Sequence, residues 1–217
     1  MIENVFGGIV LTAQSFNPSI FTEAWLIENQ ILPQDSLTGP RVYSPEIAQF
    51  QTPHLQVLVI PPKMQVLFGL QAGRAEHERA TNIMVRTVQL LPQTPYQALG
   101  LNFDHFASPP DKEEFGAFDR RLLGSGDYAL LGEFSGGDAR FGRYLSKDFG
   151  DWRLRLDIKP VTAGPDNREL LQFSFNFHHD VSHASQTERS SELVRVLGMW
   201  ESLRAYSDDL VKRGTQQ

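Results

Sequence analysis

The densest group of ligand-type side chains in the chain is His178-His179-Asp180, with His183 shortly after it. On an extended strand alternate side chains share a face, so His178 and Asp180 point the same way, and a following turn could fold His183 back toward them. Imidazoles and a carboxylate so placed would hold a divalent metal or form an acid–base pair. The competing reading is a strand end whose polar side chains meet water. His77-Glu78-Arg79-Ala80-Thr81 opens like a zinc-protease helix, but that chemistry needs a second His at the position of Thr81. Without it the two imidazoles that grip one metal from a single helix face do not exist, which leaves an ordinary solvated first turn. Asp104 and His105 are neighbours and so lie on opposite faces of a strand, where they form no direct relay. His105 falls on the apolar side with Leu99, Leu101 and Phe103, as a hydrogen-bonded core histidine would.

Other chemistries are excluded by what is missing. Gly124-Ser125-Gly126 and Ser135-Gly136-Gly137 are followed by no Gly-Lys-Ser/Thr, and neither forms the G-x-G-x-x-G of a dinucleotide site. No G-x-S-x-G nucleophile elbow occurs. The chain has no Cys, which removes disulfides, thiolate nucleophiles and cysteine-based metal centres. No cofactor is called for. A formal charge of −6 argues against general affinity for nucleic acid, although Arg153, Arg155 and Lys159 line one face of a strand. The N-terminus lacks the basic start of a secretory signal, and no apolar run approaches the roughly 18 residues of a membrane span, so the expectation is a cytoplasmic protein with no membrane partner.

The remaining signal is aromatic. Phe134, Arg140, Phe141, Arg143, Tyr144, Phe149 and Trp152 lie in or beside the glycine-rich stretch 124–150. Aromatic and Arg side chains on glycine-punctuated segments are favoured at partner contacts, whereas the alternative use is to cover the sheet.

The elements that must position these residues follow from periodicity. Residues 5–14 read as a strand, Asn17-Pro18 and Thr22-Glu23 as helix entries, and 34–44 as turns. Residues 46–51, 54–60 and 64–70 read as strands, the last two joined by Pro61-Pro62-Lys63. Ala80, Ile83, Met84, Thr87, Val88 and Leu91 recur at helical spacing over 75–91. The second half repeats the plan, with a strand over 96–106 and a helix over 112–122. Strands then alternate Trp152, Leu154, Leu156, Ile158 and Leu171, Phe173, Phe175, Phe177 with polar residues. A final helix opens on the capping box Ser185-x-x-Glu188 and buries Leu193, Val196, Leu197, Trp200, Leu203 and Leu210.

Ile9–Pro18 is echoed by Leu99–Pro109, each a strand running into a Phe and then a Pro-containing turn. The expected fold is therefore α+β, with two tandem β-α-β-β-β-α pseudo-repeats, 1–93 and 94–217, forming one extended antiparallel sheet with helices on one face. Residues 124–150 form an insertion in the second unit. In connectivity this order resembles the saddle of TATA-binding-protein-like folds, and the acidic balance keeps the DNA-binding function from following. The functional expectation is a non-catalytic protein-interaction or assembly subunit that binds another protein or itself. The alternative is a small-molecule or metal-dependent enzyme using His178, Asp180 and His183, and a weaker one is nucleic-acid binding.

Overall fold

A computed structural model describes residues 2–69, 73–109, 113–124, 136, 138–164 and 166–215. The elements in chain order are β1 (Ile2–Ala13), α1 (Glu23–Glu28), β2 (Thr38–Tyr43), β3 (Ala48–Gln51), β4 (Leu55–Ile60), β5 (Lys63–Phe68) and α2 (Arg74–Leu90). The second half adds β6 (Tyr96–Ala107), α3 (Phe115–Leu123), β7 (Arg143–Phe149), β8 (Trp152–Ala163), β9 (Arg168–Asp180), α4 (Gln186–Leu197) and α5 (Trp200–Thr215). The fold is α+β, built on one large antiparallel sheet in the order β2-β3-β4-β5-β1-β6-β9-β8-β7.

One face of every central strand is apolar and carries the helices. Ile9 and Leu11 of β1, Leu101 and Phe103 of β6, Phe173 to Phe177 of β9 and Trp152 to Ile158 of β8 form a single core with Ile83, Met84 and Val88 of α2 and Leu203 of α5. Helix α2 packs on β5 and β1, α5 on β1, β6 and β9, and α3 on β9. Gly7 pairs with Phe68 on one side and Phe103 on the other, and the Trp200 ring lies 5.1 Å and 4.5 Å from those two rings.

Local signals act as expected at the helix starts. Asn17 Oδ1 accepts from the Ser19 N–H, Thr22 Oγ1 from the Trp25 N–H, and the Glu188 carboxylate from the Ser185 N–H. Two expectations are corrected. Residues 34–44 contain the strand β2, hidden by Gly39 and Pro40, which are turn formers in general and edge-strand residues here. The final helix is two helices, broken at Gly198-Met199, where N–H groups turn back to Arg195 and Val196. The break lets α4 lie along α2 while α5 lies on the sheet. Among the described residues no helix is long and apolar enough to cross a membrane.

Candidate functional site

The second face of the sheet is a continuous surface of alternate side chains. Across one row, Gln56, Leu67, Gly8, Asn102, Asn176, Arg155 and Ser146 stand side by side on β4, β5, β1, β6, β9, β8 and β7. The next row runs Phe6, Asp104, Ser174, Asp157 and Tyr144. Leu67 to Arg155 of the first row and Phe6 to Tyr144 of the second, with Gln65, line a concavity of about 420 Å³.

Gly8 lies in its floor, and Gly100 stands on the same open face two residues along β6 from Asn102. Gly8 has no room to spare on one side, since a Cβ there would sit 3.1 Å from Leu67 Cδ2, and a Cβ at Gly100 would meet Asn176 Nδ2 at 3.4 Å. The Asn176 amide donates to Asn102 Oδ1 at 2.7 Å, and Asn102 Nδ2 points to the Gly8 carbonyl at 3.5 Å. A short amide ladder thus crosses the centre of the trough above bare backbone. An amide side chain carries both a donor and an acceptor, the same pair a peptide bond presents.

The trough is electrically divided. Burial pushes the Asp104 carboxyl above the usual carboxylate range, while hydrogen bonds from Ser174 and Gln172 hold part of that rise back. Burial and the nearby Arg155 guanidinium push His178, on the same open face, below the ordinary histidine range, so it is a neutral imidazole at neutral pH. Asp157 pairs with Lys159 at 3.4 Å and Asp148 with Arg153 at 2.9 Å. On the β5–β1 side the lining is uncharged, with Phe6 and Leu67 beside the Gln65 amide.

The residues singled out from sequence are distributed differently. His178 lies on the trough face. Asp180 is taken up by the next turn, its Oδ1 accepting from the Ser182 N–H at 2.7 Å and hydroxyl at 2.6 Å, and these bonds hold its carboxyl below the usual range. His183 is exposed. Among the described residues no group of three or more His, Asp or Glu side chains is arranged to hold a metal ion.

Phe134 lies outside the described residues. Trp152 is 3% exposed and packs beside Phe177 and His179. Phe149 packs at a tilt against Tyr206, ring centres 4.5 Å apart, and Phe141 packs against the core while its N–H donates to Asp119 Oδ2 at 2.7 Å. Arg140 binds Glu169 through Nε and Nη2 at 2.9 and 3.1 Å, and Arg143 donates to the Leu123 carbonyl at 3.1 Å. The fold therefore uses most of this set internally, and Tyr144, 64% exposed, remains at the surface.

His77, expected in a solvated turn, is buried between Phe68 and Trp200 with Nδ1 3.5 Å from Glu201 Oε1. The reason is that α2 lies flat on β5, which turns its first-turn face inward. His105 is the core histidine the alternation implies, with Nε2 3.1 Å from Ser207 Oγ.

Sequence reasoning passed over Gly8, Gly100, Asn102 and Asn176 as site residues, and weighed Asp104 only as a partner for His105. The available signal was their alternation with buried neighbours, which by itself reads as a solvated strand face. No family model matches the chain, and no curated protein shows significant similarity to it.

Proposed function

We propose that this chain is a non-catalytic protein-interaction module, and that its open sheet face receives an extended segment of a partner polypeptide. The observation that carries this reading is the Asn176–Asn102 amide ladder beside Gly8 on a concave face that, among the described residues, lies opposite the packed helices. Extended backbone laid over Gly8 and Gly100 can come close to the sheet, and the free amide positions of Asn102 and Asn176 match its N–H and C=O groups. Phe6 and Leu67 suit an apolar side chain on one flank, and Arg155 suits a carboxylate on the other.

The reading also takes the chain as two copies of one unit in a saddle-like arrangement. The strand order supports it: outward from the β1–β6 pair, β5, β4 and β3 on one side correspond to β9, β8 and β7 on the other, with β2 added. Register supports it too. Ile9 pairs with Leu101 and Leu11 with Leu99, so the offset that relates the two echoed segments also exchanges these pairs about Val10↔Gly100. The trough then lies across the junction of the two units.

The test is selection of displayed random peptides on the immobilised protein. Wild type should enrich sequences pairing apolar with acidic residues, and Asn102→Ala/Asn176→Ala should weaken the enriched peptides roughly tenfold or more. Arg155→Glu should shift the selected charge from acidic to basic. Failure to enrich any sequence, or binding indifferent to all these changes, rejects the open face as the site.

A further inference from the structure

Among the described residues the sheet ends at β2 on one side and β7 on the other. The large hydrophobic side chains that stand most exposed, Val42, Tyr144 and Leu145, all lie on these two strands. The edges are built differently. β2 carries Gly39 at φ +66 and Pro40, which lacks an N–H, and its pairing with β3 is interrupted between Thr38 and Val42. Such irregularities blunt an edge against further pairing. β7 has none of them. It pairs with β8 residue for residue from Arg143↔Ile158 to Phe149↔Trp152, and contains neither Gly nor Pro. Its outward ladder is regular and, among the described residues, takes no further strand.

We propose that β7 is a self-association edge: two copies of this chain pair their β7 strands antiparallel about a two-fold axis at Ser146, which joins two sheets into one. Charge selects both the partner and the register. Pairing must keep Arg143, Leu145, Lys147 and Phe149 on the helix side and Tyr144, Ser146 and Asp148 on the open side, which restricts the two-fold to a residue position. An axis at Leu145 sets Arg143 against Lys147 of the second copy, one at Lys147 sets lysine against lysine, and one at Asp148 sets aspartate against aspartate. Directly opposed like charges are unfavourable. An axis at Ser146 pairs the whole strand and opposes none. It places Arg143 against Phe149, Tyr144 against Asp148 and Leu145 against Lys147, which are cation–π, hydroxyl–carboxylate and apolar-stem contacts.

Two further features fit this register. Lys147 is drawn back onto its own subunit, with Nζ donating to Tyr206 Oη at 2.9 Å and lying 5.5 Å from the Phe149 ring centre. The two lysines near the axis are therefore turned away from each other. Leu145, 50% exposed, would meet the Leu145 of the second copy diagonally across the axis. Beside it an apolar hollow of about 320 Å³, lined by Leu154, Leu156, Tyr206 and Leu210, would be capped by that contact.

The experiment is sedimentation or light scattering on the full chain. Wild type should run at twice the chain mass, and Ser146→Arg and Ser146→Glu should each associate roughly tenfold or more weakly, because each sets like charges against each other at the axis. Mixing the two variants should restore the double mass, which also shows that both are folded. Val42→Lys on the other edge should leave the mass unchanged. A wild type at single mass up to its solubility limit overturns the proposal. So do Ser146 variants that stay paired, a mixture that stays at single mass, or a Val42→Lys chain that falls to single mass.

Discussion

Outward from the β1–β6 pair, the strands on either side bury the same kind of side chain against the helices and show opposite kinds on the other face. On β4 and β5 the open face presents Leu58, Ile60 and Leu67 among Gln56, Gln65 and Lys63. On β8 and β9 it presents Arg153, Arg155, Asp157 and Lys159 among Ser174, Asn176 and His178. The inward sets are both fixed by one requirement, close packing in a shared core. The outward sets escape it. Their division into a half of mixed apolar and polar side chains and a charge-rich half is not set by that core, and under our proposal it reflects what the face meets.

The comparison predicts first that the two faces differ sharply in what a truncation costs. Trp200→Ala removes the ring packed on Phe68 and Phe103 beside Gly7, and should cost about 3–5 kcal/mol in denaturant unfolding. Leu67→Ala on the open face, half-buried and backed by backbone, should cost about 1 kcal/mol. Equal losses at the two positions would show that the open face is covered in solution.

The second prediction uses a core titration. His105 is fully buried, and burial pushes its imidazole down to about 4 from 6.5, with the Arg204 charge adding to the fall and Asp208 opposing it. His105 Nε2 lies 3.1 Å from Ser207 Oγ and its Nδ1 3.6 Å from Asp208 Oδ1. The native state thus resists a proton that the unfolded chain takes up readily. As pH falls from about 6.5 to about 4 the unfolded state gains the proton first, and stability should drop by about 3 kcal/mol across that window. His105→Gln keeps a hydrogen-bonding group for Ser207 and removes the titration, so its unfolding midpoint should vary less with pH over the same range. An unchanged pH slope in the variant would assign the effect to other groups.

Much of this inner layer was legible beforehand. The alternation over Trp152–Ile158 and Leu171–Phe177, the helical spacing from Ala80 to Leu91 and the Ser185 capping box each rest on a local rule, and local rules are written in consecutive residues. β2 was illegible because Gly39 and Pro40 carry the same signal at an edge strand as in a turn. The split of the last helix was hidden because Gly198 stands in an otherwise unbroken apolar pattern. The trough was illegible for a different reason. Gly8 and Asn102, or Asn102 and Asn176, meet only through strand pairing between distant parts of the chain, and each polar residue alone is what any solvated strand face would carry.

A third, smaller effect probes the floor of the trough. Gly8→Ala puts a methyl 3.1 Å from the tip of Leu67, a flexible end that can shift, so stability should change by less than about 1 kcal/mol. The same methyl raises the floor under any bound backbone. Peptides enriched on wild type should therefore lose affinity for this variant while its unfolding curve barely moves. A parallel loss of both would mark Gly8 as a packing residue only.

The smallest effect tests whether the charged half acts as a unit. Arg155 is exposed, so Arg155→Ala should change stability by no more than about 0.5 kcal/mol. Its charge is nevertheless one of the causes that hold His178 below the ordinary histidine range, second to burial and opposed by Asp180. Removing a cation beside an imidazole makes protonation easier, so the His178 pKa should move back up in the variant. Nuclear magnetic resonance of the histidine ring protons across a pH series reads this directly. A rise at His178 places the guanidinium beside that imidazole on the open face in solution. Identical titration of His178 in both proteins would mean that Arg155 points elsewhere, and that the half of the face assigned to a partner's carboxylate is not assembled there.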